Sequence, residues 1–479
     1  MQSNVLSGQT ESSTQRRRRR WLRYVLGIVG VPLMLLGGAY WLLSWSASRE
    51  TASVMAETDR LDPGWRLLDI EAAREVLTPE ENSALQVSKI VAMGGIGRTW
   101  RNDFATQFEK LEAPYQLNEL QIEMLREAQQ DMQEALTEAR KLKDMPKGRF
   151  ALKWSADWIS TMLNDQQSAR RVFELLQHDA WMRAQMGDLD GAVESCRACL
   201  NAARSLGDEP ILISFLIRVA GSHMAIAALE RTLAQGQPSE KALAAMQALI
   251  EQEIQDVQKH WVNALRGERG GQQHMMAAIG DGKFKFSHLG WGGGTPTAMD
   301  RLSEYAPVLV TQGYPSLLRH MNKVVDAANL PLDQQYEKMR ELEKEIPRAS
   351  LMARLLAPAV QKVTLANLRD QTLLRSALVA VAAERYRIQN KDRWPQTLAD
   401  LVKAGLISEV PTDPGDGAQL RWRRFAEGMA AYGVGIDRTD DGGNINNSKS
   451  HETGVDLGIK LWDRPRRRQA ARPPVIEGQ

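Results

Sequence analysis

The chain has 479 residues, with 61 Lys and Arg against 59 Asp and Glu for a formal charge of +2. Seven Arg against Glu11 and Glu50 in the first 50 residues leave the remainder near −3 (+2 less a surplus of five), which removes support for nucleic-acid binding. Two cysteines exclude a disulfide framework, and the length suffices for two or three domains with packed cores.

Residues 1–23 form a basic tail ending in Arg16 to Arg20 and Arg23. Tyr24 to Trp45 follows without a charged residue. At about 1.5 Å per residue it is long enough to cross a hydrocarbon core of roughly 30 Å. Arginines crowd only its N-terminal side, which predicts a cytoplasmic N-terminus and an extracytoplasmic body. Trp21, Tyr24, Tyr40, Trp41 and Trp45 suit the headgroup layers at its ends. Ser46-Ala47-Ser48 would serve as a cleavage site, but the apolar run exceeds the roughly 7–15 residues of a removable signal. An uncleaved anchor over 24–45 is therefore predicted.

Ser46 to Arg60 reads as a polar stalk, and residues 60–279 as a helical domain. Asp62-Pro63-Gly64 is a turn. Thr78-Pro79-Glu80-Glu81 reads as a helix start with a capping box. Leu117, Leu120, Met124, Ala128, Met132, Ala135, Ala139 and Leu142 fall at steps of three and four, predicting one helix that stops at Pro146 and Gly148. Trp154 and Trp158 are expected one turn apart on the next helix.

Gln166 to Leu206 predicts two antiparallel helices around Gly187-Asp188-Leu189-Asp190-Gly191. The segment GDLDGAVESCRACLNAA resembles one tetratricopeptide unit, with Cys196 where that family has an aromatic residue. No repeat follows at the required period, so the resemblance implies a single tetratricopeptide-like pair over 166–206. Pro210 to Leu233 continues in helix; Arg218 near its middle argues against a second membrane span. Pro238 opens a further helix with Leu243, Met246, Ile250, Ile254, Val257, Trp261 and Leu265 in register.

Residues 280–297 form a Gly-rich linker or loop. A helical extension is expected over 298–371, leading into a long helix from about Ser350 to Ile388. Asp392-Arg393-Trp394-Pro395 breaks that helix and a short one follows. Leu420 to Phe425, Met429 to Ile436 and the segment GVDLGIKLW predict antiparallel strands. Residues 464–479 read as a loose basic tail. The expected fold class is thus mainly α, with a small C-terminal α+β unit.

A long helix, then ERYRIQNKDRWPQTLADLV, VPTDP and YGVGIDRTDDGG, resembles the extracytoplasmic domain of the major pseudopilin of type II secretion systems. The likeness covers residues 372–463. LDPGWRLLDIEAAR and LGIKLWDRPRRRQ are similar to segments of membrane-anchored bacterial envelope protein families. Over three hundred residues separate anchor from C-terminal unit, and no processing motif precedes the anchor, so pilus-fibre assembly is not expected. Major pseudopilins bind calcium in the corresponding loop. The resemblance therefore implies Asp437, Asp440, Asp441, Asn444 and Asp456 as calcium ligands, of the hard-oxygen type calcium requires. The same residue types also serve as plain loop formers.

Cys196 and Cys199 have the spacing of a redox pair but sit inside a predicted helix at core positions, so buried packing is expected. His260, His274 and His288 flank the glycine-rich loop without metal-ligand spacing. No HExxH, GxSxG or GxxxxGK[ST] motif occurs. These features predict a single-pass protein of the bacterial inner membrane, with its bulk periplasmic, acting through a protein partner rather than by catalysis and needing no cofactor beyond calcium. The alternatives are an envelope hydrolase near 280–297, using His274 and His288, and an accessory part of a secretion apparatus.

Overall fold

The computed structural model describes residues 21, 23–24, 26–94, 107–108, 111–284, 298–305, 307–346, 357 and 359–474. A π-turn at Leu26–Gly30 leads into α1, Val31–Leu61. The expected stalk continues this helix, because Ser46 to Arg60 contains neither Gly nor Pro. Asp62-Pro63-Gly64 ends it, with Gly64 at φ +73°. α2 spans Leu67–Ala72 and α3 spans Ser83–Ala92. Thr78 and Glu81 exchange the expected reciprocal bonds, but these close a turn. The helix starts later, where the Asn82 Oδ1 accepts the Ala84 N–H at 3.1 Å.

The single helix expected over 117–142 is two, α4 (Glu119–Gln130) and α5 (Gln133–Arg140), followed by a 3-10 turn at Lys141–Asp144. The break lets the two halves serve different clusters. Leu117 and Leu125 pack with Phe108 and Met182, whereas Met132, Ala135, Ala139 and Leu142 join the main core. Trp154 and Trp158 are not on a helix. Asp157 captures the Ser155 hydroxyl at 2.7 Å and the Ser160 N–H at 3.1 Å, local bonds that compete with helix. Trp158 sits at φ +62°.

α6 (Asn164–Met186) and α7 (Leu189–Arg204) form the predicted antiparallel pair. Gly187 at φ +84° ends the first, and Asp188 Oδ1 caps the second by accepting the Gly191 N–H at 3.0 Å. α8 (Leu212–Gln235) and the 41-residue α9 (Glu240–Gly280) follow. Then come α10 (Ala298–Tyr305), α11 (Pro307–Thr311), α12 (Tyr314–Ala328), α13 (Leu332–Glu345), α14 (Val360–Gln389) and α15 (Leu398–Lys403). β1 (Arg421–Arg424), β2 (Gly428–Gly433) and β3 (Leu457–Trp462) make an antiparallel meander, with Trp422 opposite Ala431 and Ala431 opposite Ile459.

The main hydrophobic core runs from Val54 to Leu461, with α14 packed on α8, α9, α13, β2 and β3. The boundary expected between residues 371 and 372 falls inside α14, so the helical and C-terminal regions share that core. The tail expected to be loose is docked through residue 472. Arg467 is buried, donates from Nε to the Trp462 carbonyl at 2.8 Å and pairs with the buried Glu384. Gln469 N–H donates to the Pro114 carbonyl at 2.7 Å, and the Arg472 guanidinium lies 3.9 Å from the Tyr115 ring centre.

Candidate functional site

The aspartate loop joins the end of β2 to β3. Asp437 Oδ1 accepts the Thr439 N–H at 3.1 Å, and its Oδ2 accepts the Gly454 N–H at 2.8 Å. Asp440 Oδ1 accepts from the Tyr432 hydroxyl at 3.1 Å and the Gly442 N–H at 2.9 Å. The fully buried Asp456 accepts the Gly443 N–H at 2.7 Å, and Asn444 Nδ2 donates to the Gly454 carbonyl at 2.7 Å. Asp441 stands apart, its Oδ2 without a hydrogen-bond partner. Burial and the charges of Asp437 and Asp440 push the Asp441 carboxyl up.

Most of these acceptors are thus spent on the loop's own backbone. Among the described residues, no group of three or more His, Cys, Asp and Glu is placed to hold a metal ion. In this conformation Asp437, Asp440 and Asp456 act as loop formers, each accepting backbone N–H groups.

Cys196 and Cys199 are fully buried thiols on α7. Burial pushes Cys196 up to about 12, far from the thiolate a redox centre needs. His260 and His274 lie on the single helix α9, roughly 21 Å apart along its axis, so they do not converge. His288 lies outside the described residues, as does most of the 280–297 loop. His223 on α8 is partly exposed, its Nε2 3.5 Å from Oδ1 of the buried Asp370 on α14. Burial drives both groups towards neutrality, His223 down to about 4 and Asp370 well up.

Two polar groupings escaped the sequence. The first is internal: Glu253 of α9 is fully buried between Arg204 of α7 and Arg218 of α8, with Arg218 Nη2 at 2.6 Å. The arginine that argued against a second membrane span therefore serves a buried ion cluster. The segment Leu212–Gln235 has a span-like mean hydropathy of 1.7, yet 67% of that apolar window is buried within the fold.

The second grouping joins α1 to the body. Asp62, at the C-terminal end of α1, pairs with Arg266 at 2.8 Å and with Arg269, both on α9. Burial raises the Asp62 carboxyl, but these arginines prevail and hold it below the usual carboxylate range. Asn322 of α12 donates to the Thr58 hydroxyl at 2.8 Å and accepts from Arg269 at 3.0 Å. The fully buried Trp65 donates from its indole to Asp59 at 2.8 Å. The signal for this junction was GERGG: Gly267, Gly270 and Gly271 clear one face of α9. A Cβ on Gly270 would press on the backbone of Trp65 and Leu67, and one on Gly271 would overlap the Trp158 ring.

The first, apolar half of α1 is exposed. Its apolar window is 0% buried with mean hydropathy 1.6, and Met34 is 82% exposed. No family model, curated protein or solved structure matches the chain.

Proposed function

We propose that this chain is a single-pass protein of the bacterial inner membrane that holds a folded scaffold on the periplasmic side and works through a protein partner. The carrying observation is the contrast between the two span-like helices. α8 is absorbed into the core, whereas the first half of α1 exposes a continuous apolar surface that water would penalise and lipid would accept. The arginine run before α1 supports a cytoplasmic N-terminus. Because α1 passes without a break into its docked last turns, the body is held at a set angle to the membrane.

The packing of α14 across a three-stranded meander supports reading 372–463 as pseudopilin-like, and the α6–α7 hairpin supports the tetratricopeptide-like reading. Both are surfaces suited to protein contact rather than turnover. In-cell photocrosslinking from surface positions of α6 and α13, followed by mass spectrometry, is expected to return one recurrent protein neighbour. No recurrent neighbour, together with turnover by the purified chain, would contradict the scaffold reading.

A further inference from the structure

An open groove of about 790 Å³ lies between α9, α14 and the loop that follows α15. α9 and α14 run antiparallel along it. Glu240 and Gln247 bind Arg385 near the end of α14, whereas the charge of Glu253 bears on Asp370 nearer its start. Arg385 is thereby satisfied. Arg375, about 15 Å earlier along α14, meets only neutral acceptors. Its Nη1 donates to the Thr412 carbonyl at 2.6 Å and to the Thr412 hydroxyl at 2.8 Å. Its Nε and Nη2 stay open to solvent, with no acceptor among the described residues. The nearby Asp413 is spent on Arg421 and on the Gly415 and Val434 N–H groups. On the facing helix, Glu251 Oε1 accepts from Gln247 Nε2 at 2.9 Å, and its Oε2 has no partner among the described residues. Glu409 is exposed at the rim. Ile254, Leu378 and Val402 give the groove its apolar surface.

We propose that the groove binds a short linear peptide with free ends, about three residues long, its terminal carboxylate on Arg375 and its terminal ammonium on Glu251. The charges not tied up in ion pairs are of both signs. A plain anion at Arg375 is repelled by Glu409, and a plain cation at Glu251 by Arg375, whereas a zwitterion answers both. The Nε–Nη2 edge of Arg375 matches the two oxygens of a carboxylate. The spacing sets the length. Gln247 lies at the level of Arg385, and Glu251 is about 6 Å further towards Arg375, which leaves about 9 Å between the two charges along the groove. Three extended residues span about 10 Å. The apolar surface between the ends suits an aliphatic side chain. This site is independent of the anchoring and scaffold reading.

The test uses calorimetric titration of the full chain in nanodiscs, with empty nanodiscs subtracted, and the tripeptide Ala-Leu-Ala as probe. The free tripeptide is expected to bind saturably. Its C-terminal amide is expected to bind at least about tenfold more weakly, and its N-acetyl form at least about threefold. R375M is expected to weaken the free tripeptide about tenfold, and E251Q, which keeps the acceptor for Gln247, about threefold. Absence of saturable binding would overturn the proposal. So would binding that R375M and E251Q leave unchanged, or equal binding of the free and capped peptides. Should R375M fail to fold, E251Q and the capped peptides on the native chain decide by the same ratios.

Discussion

Burial sets the chemistry of single residues throughout this chain. Glu209 lies between α7 and α8, where Gln166 Nε2 donates to one oxygen at 3.0 Å and the Ser214 hydroxyl to the other at 2.6 Å. Burial nonetheless pushes its carboxyl to about 7 from an ordinary 4.5. The folded chain therefore keeps a proton that the unfolded chain releases above about 4.5. Its contribution to stability is fully present below that value and is lost as pH rises through about 7. E209Q, permanently neutral, is expected to gain on the native chain in thermal melts as pH moves from 4.5 to 8. A melting difference that does not change with pH would refute this. His178 works in the opposite sense: burial lowers it to about 4, so its contribution is present above 6.5 and lost as pH falls through about 4.

Gly267 shows the same dependence on surroundings. In an exposed helix, Gly to Ala gains about 1 kcal/mol. Here a Cβ would overlap the Pro210 carbonyl oxygen, which is backbone and cannot swing away. G267A is expected to cost roughly 1–3 kcal/mol in urea denaturation, the usual range for overpacking. A stabilised variant would show that the close approach of α9 to Pro210 is misplaced.

At the scale of elements, what could be read in the sequence was what local chemistry decides. The Gly187 turn with its Asp188 cap, the helix opening after Pro238 and the three C-terminal strands all carry their signals within a few residues. The missed features depend on distant partners. Periodicity alone could not show that 117–142 divides between two clusters. Nor could it show that Asp157 would take Trp158 out of helix. The tail is the clearest case. Arg464 to Arg472 reads as a solvated charge run, and only Glu384, Ala234 and Pro114, each remote in sequence, convert it into a docked strap. Native trypsin digestion distinguishes the two: the strap predicts slow cutting after Arg466, Arg467 and Arg468, at rates that follow global unfolding. Immediate loss of the C-terminal segment from an otherwise intact chain would favour a loose tail. The sequence correctly brings Asp437, Asp440 and Asp456 to one loop, but it does not reveal that backbone amides take their oxygens.

At the scale of the whole molecule, a main core is fastened to an exposed apolar helix. α14 crosses the expected domain boundary without interruption, and α1 crosses the expected stalk in the same way. The arrangement makes sense if α1 enters lipid and the remainder folds beyond it. Cysteine labelling tests this most directly, because the native thiols Cys196 and Cys199 are fully buried and silent. One added cysteine would replace Ser448, which is exposed in the aspartate loop, and another would replace Ser3 in the N-terminal tail. With the outer membrane opened and the inner membrane intact, a membrane-impermeant maleimide is expected to label S448C at once and S3C only after lysis. Labelling of S448C only after lysis would place the body in the cytoplasm and contradict the account.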